Sequence, residues 1–221
     1  HLAQSLAHGT LYVNRNVDED DSVESYTGKI FESAMASLDQ VHHSLDMSAV
    51  NRAVDLLTQA KKIAFFGLGS SAAVAHDAMN KFFRFNVPVI YSDDIVLQRM
   101  SCMNCDDDDV VVIISHTGRT KSLVELAQLA RENDAMVIAL TSAGTPLARE
   151  ATLAITLDVP EDTDIYMPMV SRLAQLTVID VLATGFTLRR GAKFRDNLKR
   201  VKEALKESRF DKEPFVPSDN Q

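Results

Sequence analysis

The run Val110-Val-Val-Ile-Ile114 offers no polar side chain to water on either face. A strand built from it has to be covered on both sides, the condition of a strand inside a parallel sheet. The chain then changes character at once. Ser115-His-Thr-Gly-Arg-Thr120 is a turn of hydroxyls around one glycine, and a helical pattern carrying Leu123, Ala127 and Ala130 follows. In open parallel sheets ligands bind beyond the carboxyl ends of the strands, where a helix N-terminus offers unpaired N–H groups and the positive end of its dipole to a phosphate. Ser115, Thr117 and Thr120 would add hydroxyl donors, and Gly118 would let the backbone turn closely around the ligand. Capping the helix, with Thr117 or Gly118 near the cap, needs only one hydroxyl, so three of them point to ligand binding.

From Lys62 onward strand and helix alternate. Strands are expected at Ile63–Phe66, Val87–Tyr91, Val110–Ile114, Met136–Leu140 and Leu153–Val159, with an amphipathic helix between the first two that places Val74, Ala78, Phe82 and Phe85 on one face. That alternation implies a parallel sheet with helices on both faces. The order 2-1-3-4-5, flavodoxin-like, sets strands 1 and 3 side by side at the switch point and brings their following loops to one crevice. Pro88 agrees, because a residue without an N–H belongs at a sheet edge and strand 2 is an edge in that order. The fold class is therefore α/β, a doubly wound five-stranded parallel sheet with extra N- and C-terminal helices. Residues 24–60 read as helices broken near Asp46. After Pro160–Pro168 comes an apolar helix, Val170–Leu188, expected to be buried nearly all round in a core or a subunit interface. A further helix is expected over Lys193–Ser208. Residues 1–22, ending in the self-repelling Asp18-Glu-Asp-Asp21, read as a connector, residues 23–210 as the domain and 211–221 as a loose tail.

The formal charge of −8 and pI near 5.2 argue against this chain wrapping nucleic acid by itself. The late basic residues, in Leu188–Arg195 and Lys199–Lys202, are partly balanced by Glu203 and Glu207 and read as a solvated helix face. No apolar run is long enough for a membrane span and no signal-peptide pattern opens the chain, so a cytoplasmic location is expected. The chain starts at His1 and not at Met, and a preceding N-terminal module is expected. Cys102 and Cys105 form a lone C-x-x-C just before Asp106–Asp109; without two more ligands at zinc spacing they read as incidental thiols. No metal and no cofactor is called for.

Gly67-Leu-Gly-Ser-Ser-Ala72 follows strand 1. Taken alone it satisfies the G-x-G-x-x-A dinucleotide fingerprint, with Asp93 or Asp94 as the ribose-binding acid. It equally suits a phosphate site, or a tight turn capped by Ser70 or Ser71. The dinucleotide reading leaves the second turn, Ser115–Thr120, without a role. Thr141-Ser142 either approaches the crevice or starts the next turn. Ser171-Arg172 opens the long helix, where Ser can cap and Arg can pair with an anion. His116 either meets the ligand or faces solvent.

Gly67-Leu-Gly-Ser-Ser71, Ser115-His-Thr-Gly-Arg-Thr120 and Ser171-Arg-Leu-Ala-Gln-Leu-Thr-Val-Ile-Asp-Val-Leu182, with Tyr166-Met-Pro-Met-Val ahead of the last, together resemble the sugar isomerase (SIS) domain. Over about residues 45–190 the chain is similar to that domain in RpiR-type transcription regulators, and most to those that repress glucose catabolism genes. The resemblance implies a phosphosugar in the crevice of a five-stranded sheet, specifically the phosphorylated sugar acid 2-keto-3-deoxy-6-phosphogluconate. It implies contact with DNA only through a separate N-terminal helix-turn-helix domain, of which this chain is expected to hold no more than a remnant at residues 1–10. A homodimer or higher homo-oligomer is expected, and no membrane. Residues matching Ser71 and Ser115 contact the effector in such regulators; Thr117 stands where the family often has serine. The full candidate set is Ser70, Ser71, Ser115, Thr117, Gly118, Thr120 and Arg172. Catalytic members, the aldose-ketose phosphosugar isomerases, place a Glu before the long helix. Here Glu161, Asp162 and Asp164 are nearby but are separated from the helix by Tyr166-Met-Pro168, and are expected to solvate a loop. A sensor without chemistry is preferred, with the isomerase and a dinucleotide-binding domain as the alternatives.

Overall fold

A computed structural model describes residues 17–161 and 168–206. Five strands, β1 (Lys62–Gly67), β2 (Val89–Ser92), β3 (Asp109–Ile114), β4 (Met136–Thr141) and β5 (Leu153–Thr156), form one sheet in the order β2-β1-β3-β4-β5, parallel at every pairing. This is the α/β, doubly wound arrangement read from the sequence. The apolar run forms β3, the central strand, buried at every residue. Strand β2 is an edge, and Pro88 gives it only a carbonyl, which accepts from the Ile63 N–H at 3.0 Å. The strand proper begins at Val89 and not at Val87, because proline has no N–H to continue the ladder. At the other edge β5 stops at Thr156, short of Val159. Its partner β4 ends at Thr141, whose carbonyl takes the last bond from the Leu157 N–H at 2.9 Å.

Successive side chains of a strand point to opposite faces, so the sheet builds two cores. Ile63, Phe65, Val110, Val112 and Ile114 enter one; Ala64, Phe66, Val111 and Ile113 enter the other. Along the chain the helices are α1 (Val23–Ser44), α2 (Met47–Gln59), α3 (Ser70–Phe82), α4 (Ile95–Met103), α5 (Lys121–Glu132), α6 (Pro146–Glu150) and α7 (Val170–Ala204). The first core is closed mainly by α2, α3 and α7, the second by α4, α5 and α6. Each fully buried Val or Ile contributes about 1.5–3 kcal/mol. The Val110–Ile114 run therefore anchors both layers at once.

The break near Asp46 is a cap: its carboxylate accepts from the Ser48 and Ala49 N–H groups at 2.8 and 3.3 Å, starting α2. The acidic run does not simply repel itself. Lys29 on α1 reaches Asp18 and Asp21 at 3.0 and 2.6 Å, and with the Ser25 hydroxyl it holds the Asp21 carboxyl down at about 2. Helix α7 breaks at Gly191, whose φ of 78° no helix contains, so the two expected helices meet there. Its first part is buried along Ala174, Val178, Ile179, Leu182 and Phe186. It is not apolar-covered all round: Leu173, Val181 and Leu188 lie on an opposite stripe, at 42%, 40% and 64% exposure. Among the described residues no helix is long and apolar enough to cross a membrane. The tail from Asp211, residues 1–10, Asp162 and Asp164 lie outside the described residues.

Candidate functional site

Strands β1 and β3 are neighbours, and their last residues, Gly67 and Ile114, are a register pair. The chain therefore leaves both strands at the same level, on the carboxyl side of the sheet, and the two hydroxyl-bearing turns adjoin. From β1 the turn runs through Gly69 into Ser70 and Ser71, the first residues of α3; Ser71 is buried and Ser70 half-buried. From β3 it runs through Ser115, also buried, to Thr120 at the head of α5. The Ser115 hydroxyl oxygen accepts the Gly118 N–H at 3.2 Å, closing the turn, and its own proton remains to be donated. Thr117 is half-buried, with its hydroxyl 3.5 Å from the Arg119 N–H. Gly118 has φ 57°, and a Cβ there would run into the hydroxyls of Thr141 and Thr145.

The way the helices are capped separates these two turns from the rest. The leading N–H groups of a helix have no acceptor within it. At α1, α2, α4 and α6 a side chain supplies one, from Ser22, Asp46, Asp94 and Thr145. At α7 the supplier is Glu161: its carboxylate accepts from the N–H groups of Met169, Val170 and Ser171 at 2.6, 2.8 and 3.1 Å. Only α3 and α5, among the described helices, begin with no side-chain cap. The cap of α5 is Thr120, not Thr117 or Gly118, and its hydroxyl is not spent on the helix. Among the described residues the Ser71 and Thr120 hydroxyls have no hydrogen-bond partner. Two positive helix ends side by side, neither with a side-chain cap, are suited to an anion.

Glu161 does not solvate a loop as expected. It is half-buried; burial pushes its carboxyl up, but the Ser171 hydroxyl and the three N–H groups pull it below its ordinary 4.5. Ser171 is buried and serves this carboxylate instead of capping α7 through its own side chain, while Arg172 next to it is exposed. His116 neither meets solvent alone nor stands free: its Nε2 donates to the Glu161 carbonyl at 3.4 Å. Thr141 and Ser142 buttress the turn from outside, both hydroxyls donating to the His116 carbonyl, at 3.4 and 2.8 Å.

Two contributors escaped the sequence reading. Gln98, fully buried on α4, donates to the carbonyls of Gly67 and Ser92 at 3.3 and 2.7 Å and so ties together the ends of β1 and β2. A lone Gln within Ile95-Val-Leu-Gln-Arg was its only signal. Thr145, which packs on Gly118, was signalled by the Thr-Pro pair of a helix start. Of the two acids offered for the dinucleotide reading, Asp94 is spent as a cap, its carboxylate accepting from Val96 and Leu97 at 2.8 and 3.0 Å, while Asp93 is exposed. Burial pushes the Cys102 and Cys105 thiols up to about 12 and about 11, so both stay protonated near neutrality and are poor nucleophiles.

A doubly wound parallel sheet with hydroxyl-rich turns at its switch point defines a class, and residues 56–185 match the SIS domain. The chain belongs to the SIS domain family, and within it to the HexR-type transcription regulators. It is 91% identical over 221 residues, all of this chain and 76% of the relative, to the HTH-type transcriptional regulator HexR of Escherichia coli (strain K12). It is 57% identical over 209 residues, 95% of this chain and 73% of the relative, to HexR of Pseudomonas aeruginosa. Both relatives are named as transcriptional regulators, and this chain stands with them. Among solved structures the same fold occurs in the Vibrio vulnificus NanR protein complexed with ManNAc-6P. Its TM-score is 0.77 at 23% identity, covering 86% of this chain and 72% of that one.

Proposed function

We propose that the chain is the sensing part of a DNA-binding regulator of glucose catabolism and binds a phosphorylated sugar acid, 2-keto-3-deoxy-6-phosphogluconate. The phosphate sits against the N-termini of α3 and α5, taking donors from Ser115, Thr117, Thr120 and backbone N–H groups around Gly118. The sugar-acid end faces Ser70 and Ser71, with the exposed Arg172 as its counter-charge. The observation that carries this reading is the contrast in capping: every other described α-helix start has a side-chain acceptor, and these two adjoining ones have none. The phosphosugar named with the NanR neighbour accords with it. DNA is reached through a separate N-terminal helix-turn-helix domain joined by residues 1–22, with 23–210 as the effector unit. The effector acts by preferring one arrangement of a homo-oligomer over another, since only differential affinity can shift such an equilibrium. An isomerase reading is weakened by Glu161, a carboxylate already committed to three N–H groups and a hydroxyl.

Calorimetry with the keto-deoxy phosphogluconate, a hexose phosphate and NAD tests this directly. The keto-deoxy phosphogluconate binds. Ser71→Ala and Ser115→Ala each weaken it about tenfold or more, the loss of a hydrogen bond to a charged group. Tight NAD binding with no phosphosugar binding would overturn the reading, and so would affinity unchanged in both variants.

A further inference from the structure

We infer that Glu161 is a positioning residue that makes the Ser115–Thr120 turn and the head of α7 move as one body, so that what binds the turn is felt by the long helix. The inference rests on the effector reading of that turn and names how its occupancy is passed on.

Glu161 belongs to two hydrogen-bond systems at once. Its main chain faces the turn: the carbonyl accepts from His116 Nε2 at 3.4 Å, and the N–H donates to the Val159 carbonyl at 2.8 Å. Its side chain faces the helix: one carboxylate oxygen takes the Met169 and Val170 N–H groups, and the other takes Ser171. The His116 carbonyl also accepts from the Thr141 and Ser142 hydroxyls and from the Ser142 N–H at 3.0 Å, which ties the turn to the end of β4. The imidazole is therefore a short strut between a turn held by β4 and the residue that holds α7. A helix cap needs only one or two of these bonds. Three consecutive N–H groups on one carboxylate fix the direction of the helix end as well as satisfying it. A ligand that draws the Ser115–Thr120 turn toward α5 displaces His116, and through it the Glu161 backbone. The first turn of α7 follows because its amides have no other acceptor. Further along the same helix lies the open stripe of Leu173, Val181 and Leu188.

Amide exchange in the chain, alone and with ligand, tests this. Without ligand, Glu161→Gln should speed exchange at Met169, Val170 and Ser171 about tenfold, and at Gly118 about threefold, as expected when net hydrogen-bond contributions of about 0.5–1.5 kcal/mol are lost. In the His116→Ala background the effect on Gly118 should vanish while that on residues 169–171 remains. Added keto-deoxy phosphogluconate should slow exchange at Gly118 and at residues 169–171 in the unaltered chain, and at Gly118 alone in His116→Ala. An effect of Glu161→Gln confined to residues 169–171 would overturn the inference. The same holds for a ligand effect on those residues that survives His116→Ala, a variant that leaves the cap intact. If neither the phosphogluconate nor inorganic phosphate binds, the functional reading falls, and the ligand-free comparison still decides the joint.

Discussion

A methyl group on Gly118 would strike the Thr141 and Thr145 hydroxyls, and φ of 57° is unfavourable to any residue with a Cβ. Left-handed backbone costs an L-residue about 1–2 kcal/mol and overpacking about 1–3. Gly118→Ala should therefore lose about 2–5 kcal/mol in urea unfolding; a loss under about 0.5, the size of an ordinary surface substitution, would mean the turn relaxes freely. Glu161 makes a different prediction, because its effect depends on pH. Its folded pKa is depressed below 4.5, so the stability it contributes is fully present above that value and is lost as pH falls through the folded pKa. The stability gap between the unaltered chain and Glu161→Gln should be constant above about pH 5 and close on further acidification, when both side chains are neutral. A gap that persists at the acid end would show that the charge is not what the helix head uses.

At the level of elements, the strands were legible because their signal is local: β3 is apolar without interruption, and Pro88 alone identifies an edge. The break at Asp46 carries its signal within three residues; the Thr145-Pro146 helix start carries one as short, and it was passed over. What was not legible was pairing across the fold. Glu161 meets amides eight to ten residues later, and Gln98 meets a carbonyl 31 residues earlier. Nothing in the spacing of Glu161-Asp-Thr-Asp announces a carboxylate that turns back to a helix. The exposed stripe of α7 was illegible for a related reason: apolar content alone does not say whether a face is covered within the chain or by another subunit. The aromatic cluster at the Gly191 break also depends on such distant packing. Phe186 stacks on Phe85 at 5.0 Å and Phe194, past the break, meets both at 5.8 and 5.7 Å, with Arg190 5.2 Å over the Phe186 ring. Phe186→Ala, in the fully buried part, should cost about 3–5 kcal/mol of global stability. Phe194→Ala should instead loosen the segment after Gly191, seen as faster amide exchange over residues 192–204 with the sheet amides unchanged. Equal global losses in both variants would mean that the two parts of α7 unfold as one.

For the whole molecule the decisive quantity is charge. Affinity for duplex DNA that is indifferent to sequence comes from Lys and Arg neutralising phosphates, and it falls steeply as salt displaces them. This chain has 23 basic against 31 acidic residues. Several of its cations are already committed: Lys29 to Asp18 and Asp21, Lys81 to Asp77 and Asp180, Arg189 to Asp55. Two helix ends suited to one anion do not amount to a stripe along a duplex, and they are proposed to serve a small ligand. The 221 residues by themselves should therefore leave the anisotropy of a labelled 30-base-pair duplex unchanged up to about 10⁻⁴ M protein at low salt, the weak end of ordinary nonspecific binding. The same titration with the keto-deoxy phosphogluconate present should also be flat, because the effector is taken to act through the arrangement of subunits and not by exposing a basic face. Binding that weakens linearly with the logarithm of salt concentration would locate DNA contacts inside this chain and would move the division of labour between sensing and DNA recognition.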